Sequence, residues 1–236
     1  ADPRDAYLVN TLGTLNIVEA LRQEYIRLPR LRKAVCMSSD KSFGGSSPPG
    51  GYKEDTPLEP SDSYCTSKAC GDMIARSYAK TYNLPICVVR AGNLYGGGDL
   101  NLSRLIPGNI LRLLNGESPV LYTDAGEMQR EFIHVSDIID VYHLLLEKGI
   151  PGEAYNVGGT KSHKTKDVLE FLRKKINSEI PIRMVERSFF EINEQCLNAD
   201  KLKSIGWSAK MSLSDGLDEA ISWYRNWQSK TNSAGT

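Results

Sequence analysis

Two short apolar runs limit the fold more than any other feature. Ala34-Val35-Cys36-Met37-Ser38-Ser39 and Ile86-Cys87-Val88-Val89-Arg90 show no polar alternation, as expected of strands covered on both faces of a parallel sheet. A strand with one wet face would alternate with period two. Between the runs lie a stretch rich in Gly, Pro and Ser, residues 44–61, and a helical stretch from Tyr64 to Tyr82. Parallel neighbours need a crossover, so strand, loop, helix, strand is α/β order. An amphipathic helix from Ala6 to Glu24, carrying Leu8, Leu12, Leu15, Ile17, Val18 and Leu21, precedes the first run.

Beyond Asp99 the pattern becomes mixed. The spacing predicts helices over 106–115, 136–148, 166–177 and 213–227, the last capped by Ser212 or Ser214, with short strands at 119–122 and 131–134. The pattern divides at Asp99: residues 1–98 hold the strand, loop, helix, strand order and 99–228 the mixed part. Residues 229–236 read as a disordered tail.

Composition removes several function classes. Lys plus Arg (29) equal Asp plus Glu (29), so no basic excess gathers a nucleic acid or an anionic membrane. No apolar run approaches the roughly 20 residues that span a bilayer, and the start lacks a secretory signal, which places the chain in the cytoplasm. Five cysteines, odd in number and without a CxxC pair, and three histidines point to reduced thiols and to no metal site. His134 and His163 have no ligand partner at useful spacing and read as structural. Trp207, Trp223 and Trp227 read as packing.

The sharpest chemical feature is Tyr64-Cys65-Thr66-Ser67-Lys68. Positions four apart share a helix face at roughly 5–6 Å, so a phenol and an ammonium are paired. A tyrosine base at pH 7 needs its pKa lowered by about three units, roughly 4 kcal/mol, which a neighbouring lysine and a cationic ring can supply. On its own a Tyr and a Lys at this spacing are more often structural. Here the helix follows a long loop and a buried strand ending in Ser38-Ser39-Asp40-Lys41, and open α/β sheets bind ligands at the carboxyl ends of their strands.

These pieces, in order, resemble the extended short-chain dehydrogenase/reductase superfamily, specifically its nucleotide-sugar epimerases and dehydratases. The matching segments are Asn10-Thr11-Leu12-Gly13-Thr14, Ser38 to Gly44, Tyr64 to Lys68, Arg90-Ala91-Gly92-Asn93-Leu94-Tyr95-Gly96, Arg130 to Asp137, Tyr155-Asn156-Val157-Gly158 and Ile205-Gly206-Trp207. The resemblance implies the C-terminal part of a Rossmann-type doubly wound parallel sheet with a smaller mixed α/β substrate domain, NAD as cofactor, and a nucleotide-diphosphate hexose as substrate; residues 1–98 would be the partial NAD-binding domain and 99–228 mainly the substrate domain, with a return to the Rossmann sheet near 131–148. Asp40-Lys41 and Gly96-Gly97-Gly98-Asp99 resemble the CDP-glucose 4,6-dehydratase branch, whereas Glu131-Phe132-Ile133-His134-Val135 is nearer the generic epimerase pattern.

By that resemblance Tyr64 takes the proton of the sugar 4-hydroxyl, Lys68 holds the ribose and lowers the tyrosine pKa, and Ser39 bonds the 4-oxygen. Lys41 as base and Asp40 as acid then remove water across C5 and C6. Asp40 equally suits a turn cap and Lys41 a solvated charge, and a lysine base needs its pKa lowered. Ser38, Ala91 and Asn10 join Tyr64 and Lys68 as cofactor contacts, and Asn93, Arg104 and Arg130 as contacts to the sugar nucleotide. A homodimer through the Tyr64 helix, with Met73, Ile74 and Tyr78 at its face, is also implied.

The family's opening strand, GxxGxxG turn and helix do not occur in this sequence; by its usual spacing roughly 90 residues carrying them are expected ahead of Ala1. Three readings follow: a 4,6-dehydratase, a 4-epimerase or reductase on the same scaffold that has no need of Asp40-Lys41, and a non-catalytic scaffold or dimerisation module.

Overall fold

The computed structural model describes residues 2–28, 30–158, 161–186 and 194–233. In chain order its elements begin with α1 (Pro3–Ala6), a π-helical segment (Tyr7–Leu12), α2 (Gly13–Arg27), β1 (Ala34–Ser39), a 3₁₀ turn (Asp40–Phe43), α3 (Ser63–Tyr82) and β2 (Ile86–Ala91). They continue with β3 (Asn93–Tyr95), α4 (Leu105–Leu114), β4 (Val120–Tyr122), β5 (Gln129–Arg130), β6 (Phe132–His134), α5 (Val135–Lys148) and β7 (Ala154–Val157). The remainder are β8 (His163–Lys164), α6 (Thr165–Ile176), β9 (Arg183–Val185), β10 (Glu194–Gln195), α7 (Asp200–Ser204) and α8 (Leu213–Ser233). The chain forms two compact units, one from Ala1–Gly92, Ile138–Gly159 and Gln195–Ser208, the other from Asn93–Asp137, Thr160–Glu194 and Ala209–Thr236. No helix among the described residues is long and apolar enough to cross a membrane.

The first unit is built on a parallel sheet of order β1-β2-β7. Both apolar runs are strands, and all six residues of the central β2 are buried. The register sets Ser38 beside Arg90 and Arg90 beside Asn156, then Ser39 beside Ala91 and Ala91 beside Val157. Asp62 caps α3 by accepting from the Cys65 N–H at 2.9 Å. The helix ends at Asn83, left-handed at φ 53°, two residues before Pro85. Its small residues Ala75 and Ala79 let it lie close on Val18, Ile86, Val88 and Ala154.

The first helix starts earlier than the expected Ala6 and is not uniform. Pro3 opens it behind an Asp2 cap, and the wider π turn sets Asn10 and Thr11 against α3. There Asn10 Nδ2 donates to Ser67 Oγ at 3.0 Å and Thr11 Oγ1 donates to the Ser67 carbonyl at 3.2 Å.

The loop after the 3₁₀ turn is pinned at several points. Gly44 pairs with Glu59 and Tyr52 with Leu197, and the rings of Phe43 and Tyr52 stack at 4.5 Å. Gly44 has φ 86°, and a Cβ there would lie 1.7 Å from the Glu59 carbonyl oxygen, so no other residue fits this closure.

In the second unit β3 pairs with β6 and β4 with β9, both parallel, and β5 with β8 antiparallel. Helices α4, α6 and α8 share a core of Ile106, Ile110, Leu172, Leu217, Ile221 and Tyr224. Asn109 on α4 acts as a strand partner: its Nδ2 donates to the Val120 carbonyl at 3.1 Å and its Oδ1 accepts from the Val120 N–H at 2.7 Å. Ser212 is the α8 cap, its Oγ accepting from the Asp215 N–H at 3.1 Å. That helix continues to Ser233 instead of stopping at Trp227, so residues 229–233 are helical where a disordered tail was expected. Residues 234–236 lie outside the described residues. Gly96-Gly97-Gly98 serves packing: a Cβ on Gly97 would meet Trp223 Cγ at 2.4 Å.

Candidate active site

The carboxyl end of β1 and the start of α3 carry the first group of candidate residues, all in the first unit. Ser39 caps the 3₁₀ turn, accepting from the Lys41 N–H at 3.2 Å and donating to Asp40 Oδ1 at 2.9 Å. Asp40 is buried and Lys41 half-buried. Ser38 is buried with its hydroxyl 3.2 Å from that of Ser42. Ala91 is the lateral neighbour of Ser39. Asp40 thus both suits the turn, through Ser39, and stays out of bulk water.

On α3, Tyr64 is 51% exposed, and Lys68 reaches back to β1, where its Nζ donates to the Met37 carbonyl at 3.3 Å. Burial pushes the Lys68 ammonium pKa down, opposed by the charges of Cys36 and Asp72. The amide nitrogen of Asn10 is bonded to Ser67, one residue before Lys68, so its observed contact is to the helix that carries Tyr64 and Lys68.

The second group lies in the second unit. Asn93 donates through Nδ2 to the Glu131 carbonyl at 3.2 Å. Arg104 is exposed at the start of α4 and paired with Asp99 at 3.0 Å. Arg130 is buried, its Nη1 donating to the Gln129 carbonyl at 2.8 Å. The three differ in surroundings: a half-buried amide, a solvated ion pair and a buried guanidinium. His134 is buried, its Nδ1 2.8 Å from Ser136 Oγ and its ring edge-on to Tyr95.

Sequence reasoning passed over the polar group beneath the first set. Arg90 and Asp72, both fully buried, form a two-pronged ion pair, Nε to Oδ2 at 2.7 Å and Nη2 to Oδ1 at 2.9 Å. The signal was in the spacing, since Tyr64, Lys68 and Asp72 follow one another at intervals of four and share a helix face.

A family model described as the NAD dependent epimerase/dehydratase family matches residues 1–158. The chain belongs to that family. A dTDP-glucose 4,6-dehydratase of Xanthomonas campestris is 30% identical to this family member over 91% of its chain and 65% of the relative. The crystal structure of a Bacillus anthracis dTDP-glucose 4,6-dehydratase in complex with NAD is 33% identical, with a TM-score of 0.82 over 93% of this chain and 68% of that one. The Thermotoga maritima UDP-glucose 4-epimerase structure, 23% identical with a TM-score of 0.86 over 96% of this chain and 72% of that one, shares the fold. The chain spans 32% of one curated relative and 65% of another. Both apolar runs and the helix between them are therefore part of a Rossmann-type epimerase/dehydratase.

The epimerase/dehydratase family is NAD-dependent, and the residues present fit the nicotinamide-ribose end of that cofactor. An ammonium carries three donors, and among the described residues Lys68 Nζ has one hydrogen bond, to Met37, at 3.3 Å. The remaining donors suit ribose hydroxyls, and Tyr64, half-exposed as a residue, stands one helical turn earlier.

Proposed function

We propose that this chain is the catalytic part of a nucleotide-sugar 4,6-dehydratase. The observation that carries the reading is the buried Asp40, bonded to Ser39 and followed by Lys41, at the end of the strand to which Lys68 is tied. An epimerase needs an acid and base at C4 alone. An acid–base pair beside the Tyr64/Lys68 helix suits a second proton-transfer step.

NAD, when bound, would accept hydride from the sugar C4 and return it to C6. Tyr64 removes the 4-hydroxyl proton, Ser39 bonds the 4-oxygen, and the Lys68 cation favours the phenolate. The resulting ketone acidifies the C5 proton, which Lys41 takes and gives back to C5 once C6 is reduced, while Asp40 protonates the departing C6 oxygen so that it leaves as water. Arg104, Arg130 and Asn93 contact the sugar nucleotide, Ser38, Ala91 and Asn10 support the cofactor side, and a homodimer forms through α2 and α3. Ile17 and Met73, 64% and 60% exposed on those helices, support the last point.

The test is incubation of the full natural protein with NAD+ and, in turn, dTDP-, UDP- and CDP-glucose. A 4-keto-6-deoxy product is expected from one of them. The pattern Glu131-Phe132-Ile133-His134-Val135 favours the 4-epimerase alternative, and a C4 epimer without any keto product would establish it instead.

A further inference from the structure

Arg90 sits in the middle of the first unit's sheet, and its guanidinium reaches three segments at once. Nε and Nη2 grip Asp72 on α3 at 2.7 and 2.9 Å. Nη1 donates to the Glu54 carbonyl in the pinned loop at 3.0 Å. The guanidinium carbon Cζ lies 4.9 Å from the centre of the ring of Phe43, the last residue of the Asp40–Phe43 turn. The loop is tied to the same row of the sheet from the other side: the Asn156 N–H donates to Glu54 Oε1 at 2.9 Å, and its Nδ2 donates to the Tyr52 carbonyl at 2.8 Å.

A buried ion pair is poor support for stability, because desolvation offsets the attraction and apolar replacements are often no worse. What this pair does fix is geometry. Asp72 follows Tyr64 by two helical turns, about 12 Å along the axis, too far to touch the reacting atoms, yet it shares their helix face. Phe43 belongs to the same short turn as Asp40 and Lys41. A planar fork bonded at two atoms and lying over a ring holds orientation in a way that a flexible ammonium does not.

The geometry points to Arg90 as a positioning residue that, with Asp72 and Phe43, holds the Tyr64/Lys68 face of α3 and the Asp40–Lys41 turn in one rigid frame. The inference rests on the dehydratase reading for its kinetic consequence and on geometry alone for its structural one. Misplacement of reacting groups by about 1 Å can lower a rate about 100-fold. Ground-state binding through Asn93, Arg104 and Arg130 is untouched.

The experiment compares the full natural protein with Arg90→Lys, with the double variant Asp72→Leu/Arg90→Met, and with Phe43→Leu. Amide hydrogen exchange over residues 40–59 is measured without ligand, and then kcat and KM for 4-keto product with dTDP-, UDP- or CDP-glucose. Arg90→Lys is expected to speed exchange over 40–59 about tenfold and lower kcat about 10- to 100-fold with KM changed less than about threefold. The double variant, free of buried charge, is expected to regain thermal stability but not kcat. Phe43→Leu removes the stacking platform without leaving a charge in the core and reports where Arg90→Lys does not fold. Unchanged exchange over 40–59, or a double variant that restores rate together with stability, would overturn the inference. Natural protein that turns over none of the three sugars sinks the dehydratase reading instead, and the exchange data then judge the frame by themselves.

Discussion

Asp62 holds Cys65 at two atoms: Oδ1 accepts from the backbone N–H and Oδ2 from the thiol, each at 2.9 Å. Burial, then the hydrogen bond and negative charge of Asp62, push the Cys65 thiol up to about 12. Although it adjoins Tyr64, this thiol is expected to resist iodoacetamide at pH 8 in the native protein, because only the thiolate reacts. Asp62→Ala should cost about 1–2 kcal/mol through the lost cap and hasten Cys65 alkylation. Peptide mapping after timed labelling checks both; rapid labelling of the parent protein at Cys65 would contradict the arrangement.

The proposed division of labour separates two sets of variants. Asp40→Asn and Lys41→Met are each expected to lower 4-keto-6-deoxy product about 10²- to 10⁴-fold while oxidation at C4 persists, seen as absorbance of reduced cofactor in a single turnover. Tyr64→Phe should remove both signals. Equal loss of both signals in Asp40→Asn would place that carboxylate in the oxidation step.

Asn109 mimics a strand with both of its amide atoms, and replacing it by Leu leaves the Val120 N–H and carbonyl without those partners. Each unsatisfied buried group costs about 1–3 kcal/mol, so Asn109→Leu should lower the unfolding free energy of the protein by about 2–6 kcal/mol. Urea denaturation followed by circular dichroism measures it, and a loss below about 1 kcal/mol would mean that water takes over both groups.

Tyr224 gives the second unit an alkaline limit. Its hydroxyl donates to the Asp99 carbonyl at 2.6 Å, and burial pushes its pKa up to about 12. A raised phenol contributes stability fully below its unfolded value near 10 and loses it as pH climbs through the folded value. Between pH 10 and 12 about 2–3 kcal/mol should disappear on this account. Tyr224→Phe should flatten the alkaline limb of a melting-temperature profile; an unchanged slope would assign that limb to other groups.

The long, periodic or strongly apolar elements were legible in the sequence. β1, β2 and α3 follow from an unbroken apolar run or a helical period, and local chemistry decides both. The π turn at Tyr7–Leu12 was not legible, because its cause is two side chains meeting Ser67, 56 and 57 positions away. The run of α8 past Trp227 was missed because polar residues at a helix end look like a tail when only burial is weighed. In the candidate site, Tyr64, Lys68 and the Ser39–Lys41 turn stood out as short motifs. Arg90 reads as the end of a strand motif and Asp72 belongs to no motif, since a pair split between a strand and a helix leaves no local pattern.

Gly44 carries a genetic consequence. Every single-base missense change in a glycine codon introduces a side chain, and any side chain at φ 86° would have its Cβ 1.7 Å from the Glu59 carbonyl. The closure of the loop therefore has no partial-loss allele. In a saturation scan this position should behave as a two-level switch, while exchange of positions 45–58 is expected to require that Gly50 and Gly51, at φ 84° and 82°, be kept together with Tyr52 and Glu54.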